Sequence, residues 1–265
     1  MSSVRKHLFH IIDPSPWPLV SAFAAFFMLS GLVFYMHDIR FGGFFAFAGL
    51  ILVLLCMFFW FLDIVQEATY SGHHTLAVRA GLRYGFLLFI VSELMLFFGF
   101  FWAFFHSSYN PSILLGYDWP PVGIDTIPVF EFPLFNTALL IISGFSITWA
   151  HRGIAIGSFV HAIDAFLITI FLGFFFVFLQ MFEYYEASFD ISDSVYGSTF
   201  YSLTGLHGLH VVIGATFIAI CFYRLLKRHY LTNHYLGFVF AVWYWHFVDI
   251  VWIVLFLSVY CWTIW

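Results

Sequence analysis

The sequence predicts an all-α polytopic membrane protein with seven transmembrane helices, and three observations lead to this fold class. Of the 265 residues, 63% are hydrophobic and only 9% are charged, and the mean hydropathy is +0.98. A soluble domain carries about a quarter charged residues, so this chain lacks the charge needed to cover a water-facing surface. The apolar residues form continuous runs rather than the alternating pattern of a membrane β-barrel.

Seven apolar runs define the predicted helices, and each is long enough to cross most or all of a hydrocarbon core of about 30 Å. Pro14, Pro16 and Pro18 lie at the start of the first run, where a missing backbone N–H costs little. Five more prolines lie between positions 107 and 133 and predict an extended loop between the third and fourth runs. No internal repeat is visible, so we expect a single membrane domain over residues 1–265. The runs comprise residues 17–36, 41–62, 84–106, 134–150, 161–182, 201–223 and 236–262.

The basic residues predict the orientation of the chain. Eight of the nine Lys and Arg residues fall in the N-terminal segment or in the second, fourth and sixth connections, which share one side of the membrane. The opposite side has only Arg40, and its loops carry many carboxylates, among which we count Glu183. Because Lys and Arg concentrate on the inner side, we expect the N-terminus inside and the C-terminus outside. The eight residues are Arg5, Lys6, Arg79, Arg83, Arg152, Arg224, Lys227 and Arg228.

Ionisable residues at two places inside the runs are candidates for function. Glu93 lies near the middle of the third run, where a charged side chain is costly. It suits a proton relay, an ion site or a partner for a lipid head group, or else a neutral acid that is hydrogen-bonded to a neighbouring helix. His246 and Asp249 are three residues apart and share one face of the seventh helix. They predict an intramembrane polar pair, for which we favour a structural role.

The 13 histidines raise the question of a metal centre. His207 and His210 have a spacing that can share a metal on a helix. However, the sequence has neither an HxxxH nor an HxxHH box, and the small residues around His207 favour close helix packing. We therefore expect no metal in this chain. A membrane metalloenzyme, and a proton-coupled transporter with Glu93, His246 and Asp249 as its relay, remain as alternatives.

The basic residues that follow the sixth run favour a lipid contact. Arg224, Lys227 and Arg228 lie together with His229, and such groups attract anionic lipid head groups at the inner surface. The same charges could instead serve only to set topology. Because the nine basic residues are otherwise scattered, the sequence gives no indication of nucleic-acid binding.

Eight motifs, in this order, give the chain a family resemblance. Together they closely resemble cytochrome c oxidase subunit III over nearly the whole chain. The motifs are DPSPWP at 13–18, GHHT at 72–75, LRYGFLLFIVSELMLFFGFFWAFFHSS at 82–108, WPP at 119–121, SITWAH at 146–151, EYYEASFDISDSVYGSTFY at 183–201, TGLHGLHVVIG at 204–214 and WYWHFVDIVW at 243–252.

The resemblance implies a fold and a function. It implies that the first two helices splay from a bundle of five, with a lipid-filled cleft between them. It implies a non-redox subunit of the terminal oxidase, which oxidises cytochrome c, reduces O₂ to water and pumps protons. Haem a, haem a3 and copper would lie in partner subunits I and II, and cytochrome c would reach the complex through other subunits.

The resemblance also implies what the chain does within that complex and where the complex lies. The chain would stabilise subunit I, hold phospholipids including cardiolipin, and support proton uptake beside accessory subunits. The expected location is the mitochondrial inner membrane, with the bacterial plasma membrane as the alternative. Because other subunits choose the electron donor, a quinol-oxidising relative remains an alternative.

The resemblance also implies roles for individual residues. Glu93 matches a carbodiimide-reactive intramembrane carboxyl beside the lipid cleft. Leu62 and Gln66 depart from the family, because many members have arginine at these two positions. The positions implied to bind lipid are Trp60, Glu67, His74, Glu93, Arg224, Lys227 and His229.

Overall fold

The computed structural model describes residues 8–113 and 116–262 of the chain. These residues contain seven helices that are long and apolar enough to cross a membrane, which confirms the predicted all-α membrane fold. Arg5 and Lys6, which contributed to the predicted orientation, lie outside the described residues.

The helices follow the order of the apolar runs, and most continue beyond them. An apolar run records only the part of a helix that matches the hydrocarbon, whereas the end turns extend into the head-group region, where polar side chains are solvated. The helices are α1 (Trp17–Met36), α2 (Gly42–Thr69), α3 (Leu76–Tyr109), α4 (Phe132–Ala155), α5 (Phe159–Glu186), α6 (Ser194–Leu226) and α7 (Leu236–Leu255), which continues as a π-helical segment, Phe256–Cys261.

The chain divides into two compact units at Leu82, within α3. In the first unit, α1 and α2 pack with their backbones in direct contact at glycines. A Cβ atom added to Gly31 would lie 2.2 Å from the backbone nitrogen of Ala46, and one added to Gly49 would lie 2.3 Å from that of Met28. Small residues allow such close approach between membrane helices, so these two glycines set the distance between α1 and α2.

In the second unit, the rest of α3 and α4–α7 surround a core that is centred on Trp245 of α7. This side chain is fully buried and lies against Gly173 of α5 and Gly214 of α6. Its indole Nε1 donates a hydrogen bond to Ser143 Oγ on α4 over 2.9 Å. Trp245 therefore connects α7 to three neighbouring helices.

Candidate functional site

Glu93 on α3 has a specific partner on α6. Its Oε2 lies 2.8 Å from Nε2 of His210, and Nδ1 of the same ring lies 2.7 Å from the carbonyl oxygen of Leu206. Because a carbonyl only accepts, Nδ1 carries a proton and donates it to Leu206. The short contact between Nε2 and Oε2 then requires a second proton, on either the ring or the carboxyl. The pair thus shares one proton inside the membrane.

The environment of the Glu93–His210 pair is mostly aromatic. The Phe97 and His210 rings form a T-shaped pair at a centroid distance of 4.9 Å, and the Tyr244 ring stacks with that of His210 at 6.3 Å. His210 is buried, and Glu93 is about four-fifths buried. Apolar walls of this kind strengthen a hydrogen bond and restrict exchange with water.

The spacing of His207 and His210 raised the possibility of a shared metal. In the structure His207 has a packing role. It is fully buried, its Nε2 lies 3.2 Å from the carbonyl oxygen of Val248, and its ring packs against Trp252 at 5.0 Å. Across residues 8–113 and 116–262, no group of three or more His, Cys, Asp and Glu side chains could hold a metal ion.

His246 and Asp249 lie on one face of α7, as their spacing predicts. Nδ1 of His246 is 3.6 Å from Oδ2 of Asp249, and Nε2 is 3.2 Å from the hydroxyl of Thr148 on α4. Gly144 makes room for the carboxylate, because a Cβ at this position would lie 2.7 Å from Oδ2. The sequence did not indicate Thr148, since it lies 98 positions away.

In the first unit, two of the predicted lipid residues, Glu67 and His74, lie near a histidine cluster. Glu67 Oε2 is 3.4 Å from Nε2 of His10, and the His10 ring stacks on His73 at 4.6 Å. The backbone N–H of His73 donates to the carbonyl oxygen of Glu67. His74 is half-buried in the same connection, and Trp60 is partly exposed on α2.

Two basic residues at the end of α6 lie over tyrosine rings. The Arg224 guanidinium lies 4.9 Å from the ring centroid of Tyr230, and Nζ of Lys227 lies 5.5 Å from that of Tyr223. His229 donates its backbone N–H to the carbonyl oxygen of Arg224. Burial, followed by the charges of Arg224 and Lys227, lowers the pKa of His229 below its usual value.

Glu183 was placed by the sequence in an outer loop, and this placement was wrong. It lies within α5 and is only 2% exposed. Its Oε1 accepts hydrogen bonds from the Tyr260 hydroxyl at 2.6 Å and from Gln180 Nε2 at 3.0 Å. These donors satisfy Oε1, whereas Oε2 is buried without a hydrogen-bond partner. The helix α5 thus continues past the end of its apolar run with a carboxyl that is only partly satisfied.

The fold and these contacts define a seven-span helical membrane protein with a proton-sharing pair between α3 and α6 and a basic cluster at the end of α6. A model of the family described as cytochrome c oxidase subunit III matches residues 7–264. The chain is similar to cytochrome c oxidase subunit 3 of Mammuthus primigenius, with 54% identity over 97% of this chain and 98% of the relative. It is also similar to that of Prototheca wickerhamii, with 51% identity over 98% and 99%.

The chain therefore belongs to the cytochrome c oxidase subunit III family. It is a multi-pass membrane subunit of a respiratory oxidoreductase, and the family assignment confirms the resemblance. The eukaryotic relatives imply a mitochondrial location.

Proposed function

We propose that this chain supports the oxidase from outside its redox centres. It stabilises subunit I, holds structural phospholipids and supports proton uptake in the mitochondrial inner membrane. Haem a, haem a3 and copper lie in subunits I and II, and cytochrome c reaches the complex through those subunits. The observation that carries this proposal is that Arg224 and Lys227, at the end of α6, each lie over a tyrosine ring.

The geometry of this basic cluster suits an anionic phospholipid. Arg224 and Lys227 each lie over a tyrosine ring, which keeps their charges near the end of α6. Arg228 follows them and is exposed. Each such cation near a membrane surface contributes about 1 kcal/mol to the binding of anionic lipid. A lipid with more than one phosphate, such as cardiolipin, would engage several of these charges at once.

The remaining predicted lipid residues extend this proposal to the first unit. Trp60 offers an aromatic surface at the interface, and Glu67 and His74 lie at the end of α2 and in the connection that follows it. The departures at Leu62 and Gln66 remove two cations from α2, so we expect zwitterionic rather than strongly anionic lipids there. We propose that the basic cluster faces the matrix and that the C-terminus faces the opposite side.

Of two groups of titratable side chains, one suits the proposed support of proton uptake. His10, His73 and Glu67 are in contact in the first unit, and histidine carries protons readily at physiological pH. Glu93 and His210 share a proton in the second unit. We propose that the first group exchanges protons at the inner surface, while the second stabilises the membrane fold.

Removing two charges from the basic cluster should weaken the binding of anionic lipid. For the double variant Lys227→Gln, Arg228→Gln we expect an affinity for cardiolipin about 25-fold lower, because about 2 kcal/mol of attraction is lost. The measurement is a titration of cardiolipin into the delipidated oxidase complex. Retained lipid phosphorus per complex and O₂ consumption are recorded in parallel.

The matched control for this titration is Arg40→Gln, because Arg40 also lies over an aromatic ring, that of Phe41, at 5.0 Å. It belongs to the side with few cations, so its loss should not change cardiolipin binding. The titration also tests His229. Its lowered pKa leaves it neutral at pH 7, so affinity should rise as pH falls below about 6.5, and His229→Gln should abolish this rise. Equal losses of cardiolipin affinity in the double variant and in Arg40→Gln would contradict the lipid proposal.

Replacing Glu93 with glutamine should leave the oxidase complex assembled and active. In Glu93→Gln the amide N–H can donate to Nε2 of His210, so the contact between α3 and α6 remains. In Glu93→Leu that nitrogen loses its partner in an apolar site, which should lower stability by about 1–3 kcal/mol. Thermal inactivation, O₂ consumption and proton pumping of the purified complex distinguish the two variants. Loss of pumping in a fully assembled Glu93→Gln complex would place this carboxyl on the main proton path and contradict our proposal.

A further inference from the structure

His246 lies in the middle of the membrane. The seventh span runs from Leu236 to Cys261, and His246 is about 15 Å along this helix from its start. A hydrocarbon core is about 30 Å thick, so the imidazole lies near the bilayer midplane. At that depth acyl chains cannot donate or accept hydrogen bonds.

Despite this depth, 40% of the His246 side chain is exposed. The two histidines inside α6, His207 and His210, are buried and hydrogen-bonded by comparison. Ionisable residues within transmembrane helices almost always face other protein or a water-filled cavity. The exposed edge of His246 therefore marks a surface that lipid alone does not cover.

The contacts of His246 inside the chain do not satisfy its ring. The Thr148 hydroxyl donates to the carbonyl oxygen of Gly144 at 2.9 Å, so it accepts a hydrogen bond from Nε2 of His246. Nδ1 then faces Asp249 at 3.6 Å, which is too far for a hydrogen bond. In addition, Oδ1 of Asp249 is buried without a hydrogen-bond partner. Because Oδ1 is buried, a further donor from outside the chain would have to bind Nδ1 of the partly exposed His246 ring.

Isoleucines surround this polar group on the same side of the two helices. Ile250 and Ile253 follow His246 by four and seven residues, and Ile141 precedes Thr148 by seven, so helical periodicity places them on the face of those residues. All three are exposed, Ile250 by 60%. An apolar surface with a polar group at its centre is typical of helix–helix contacts in membranes. We call Ile141, Thr148, His246, Ile250 and Ile253 the α4–α7 face.

We propose that the α4–α7 face packs against a transmembrane helix of a partner subunit, which presents a hydrogen-bonding side chain to His246 at mid-membrane depth. A lipid chain would fill the same space but would leave the imidazole without a partner. This inference rests on the proposed function, namely that the chain works inside the oxidase complex. It adds the face through which the chain is held there and the chemistry of the contact.

Photo-crosslinking at Ile250 tests this inference in the intact complex. Ile250 is replaced by benzoylphenylalanine, the complex is purified through a tag on this chain and irradiated, and the adducts are identified by mass spectrometry. We expect a covalent adduct with another protein chain. Adding His246→Leu should lower the yield of that adduct about fivefold, because one intramembrane hydrogen bond is lost. The matched control is Ile213→Leu, at an exposed position of α6 outside the α4–α7 face, and it should leave the yield unchanged.

The outcomes separate this inference from the proposed function. Adducts with lipid alone, in a complex that still contains subunits I and II, would overturn the inference and leave the proposed function intact. A protein adduct that forms with the same yield in the His246→Leu variant would contradict the proposed polar contact. If no oxidase subunit purifies with the tagged chain, the proposed function fails as well.

Discussion

Replacing Gly31 with alanine should weaken the packing of α1 against α2 and lower the amount of protein that accumulates in the membrane. The added Cβ would lie 2.2 Å from the backbone nitrogen of Ala46 and 2.6 Å from the carbonyl carbon of Phe45. Backbone atoms cannot rotate away as a side chain can, so the two helices must separate. We expect a loss of about 3 kcal/mol, the upper part of the range for overpacked sites.

Gly43→Ala is the matched control for this substitution. It lies on α2, and its added Cβ would meet only the Tyr35 side chain, at 3.4 Å. Alanine is otherwise a better helix former than glycine by about 1 kcal/mol, so the two variants should change stability in opposite directions. Accumulation in membranes and the temperature of aggregation in mild detergent are the measurements. If both variants behave like the native protein, α1 and α2 do not pack at Gly31.

The membrane fold could be predicted from the sequence because its main signal is local. Each helix needs a long apolar run, and each run can be recognised without knowledge of the others. The position of Glu183 could not be predicted in this way. A hydropathy window ends where polar residues begin, whereas α5 continues to Glu186 and buries Glu183, whose Oε1 accepts hydrogen bonds from Tyr260 and Gln180.

The partners within the candidate site were harder to predict than the helices. The spacing of His246 and Asp249 places them on one face of a helix, because both lie on the same element. The contact between Glu93 and His210 joins residues 117 positions apart, and the contact of Thr148 with His246 joins residues 98 apart. Periodicity carries no information on how two helices are rotated against each other. Only the packed structure shows that His210 contacts Glu93.

Replacing Trp245 with alanine should be among the most damaging single changes in the second unit. The indole is fully buried between Gly173 and Gly214, so its removal leaves a cavity at the contact of α5, α6 and α7. Ser143 on α4 also loses the hydrogen bond from Nε1. Large-to-small changes of buried aromatic side chains cost about 3–5 kcal/mol, and we expect a corresponding fall in the midpoint of thermal unfolding.

The same helix offers a matched control, because Trp243 lies two residues earlier and is 36% exposed. It contacts Phe86 and Phe240 at ring centroid distances of 6.5 and 6.0 Å. Trp243→Ala removes the same atoms without opening a buried cavity, so it should cost far less. Trp245→Phe should fall between the two, since it keeps part of the ring volume but loses the donor to Ser143. Equal unfolding midpoints for Trp245→Ala and Trp243→Ala would mean that the core is not organised around Trp245, and the two glycines beside it would then need another explanation.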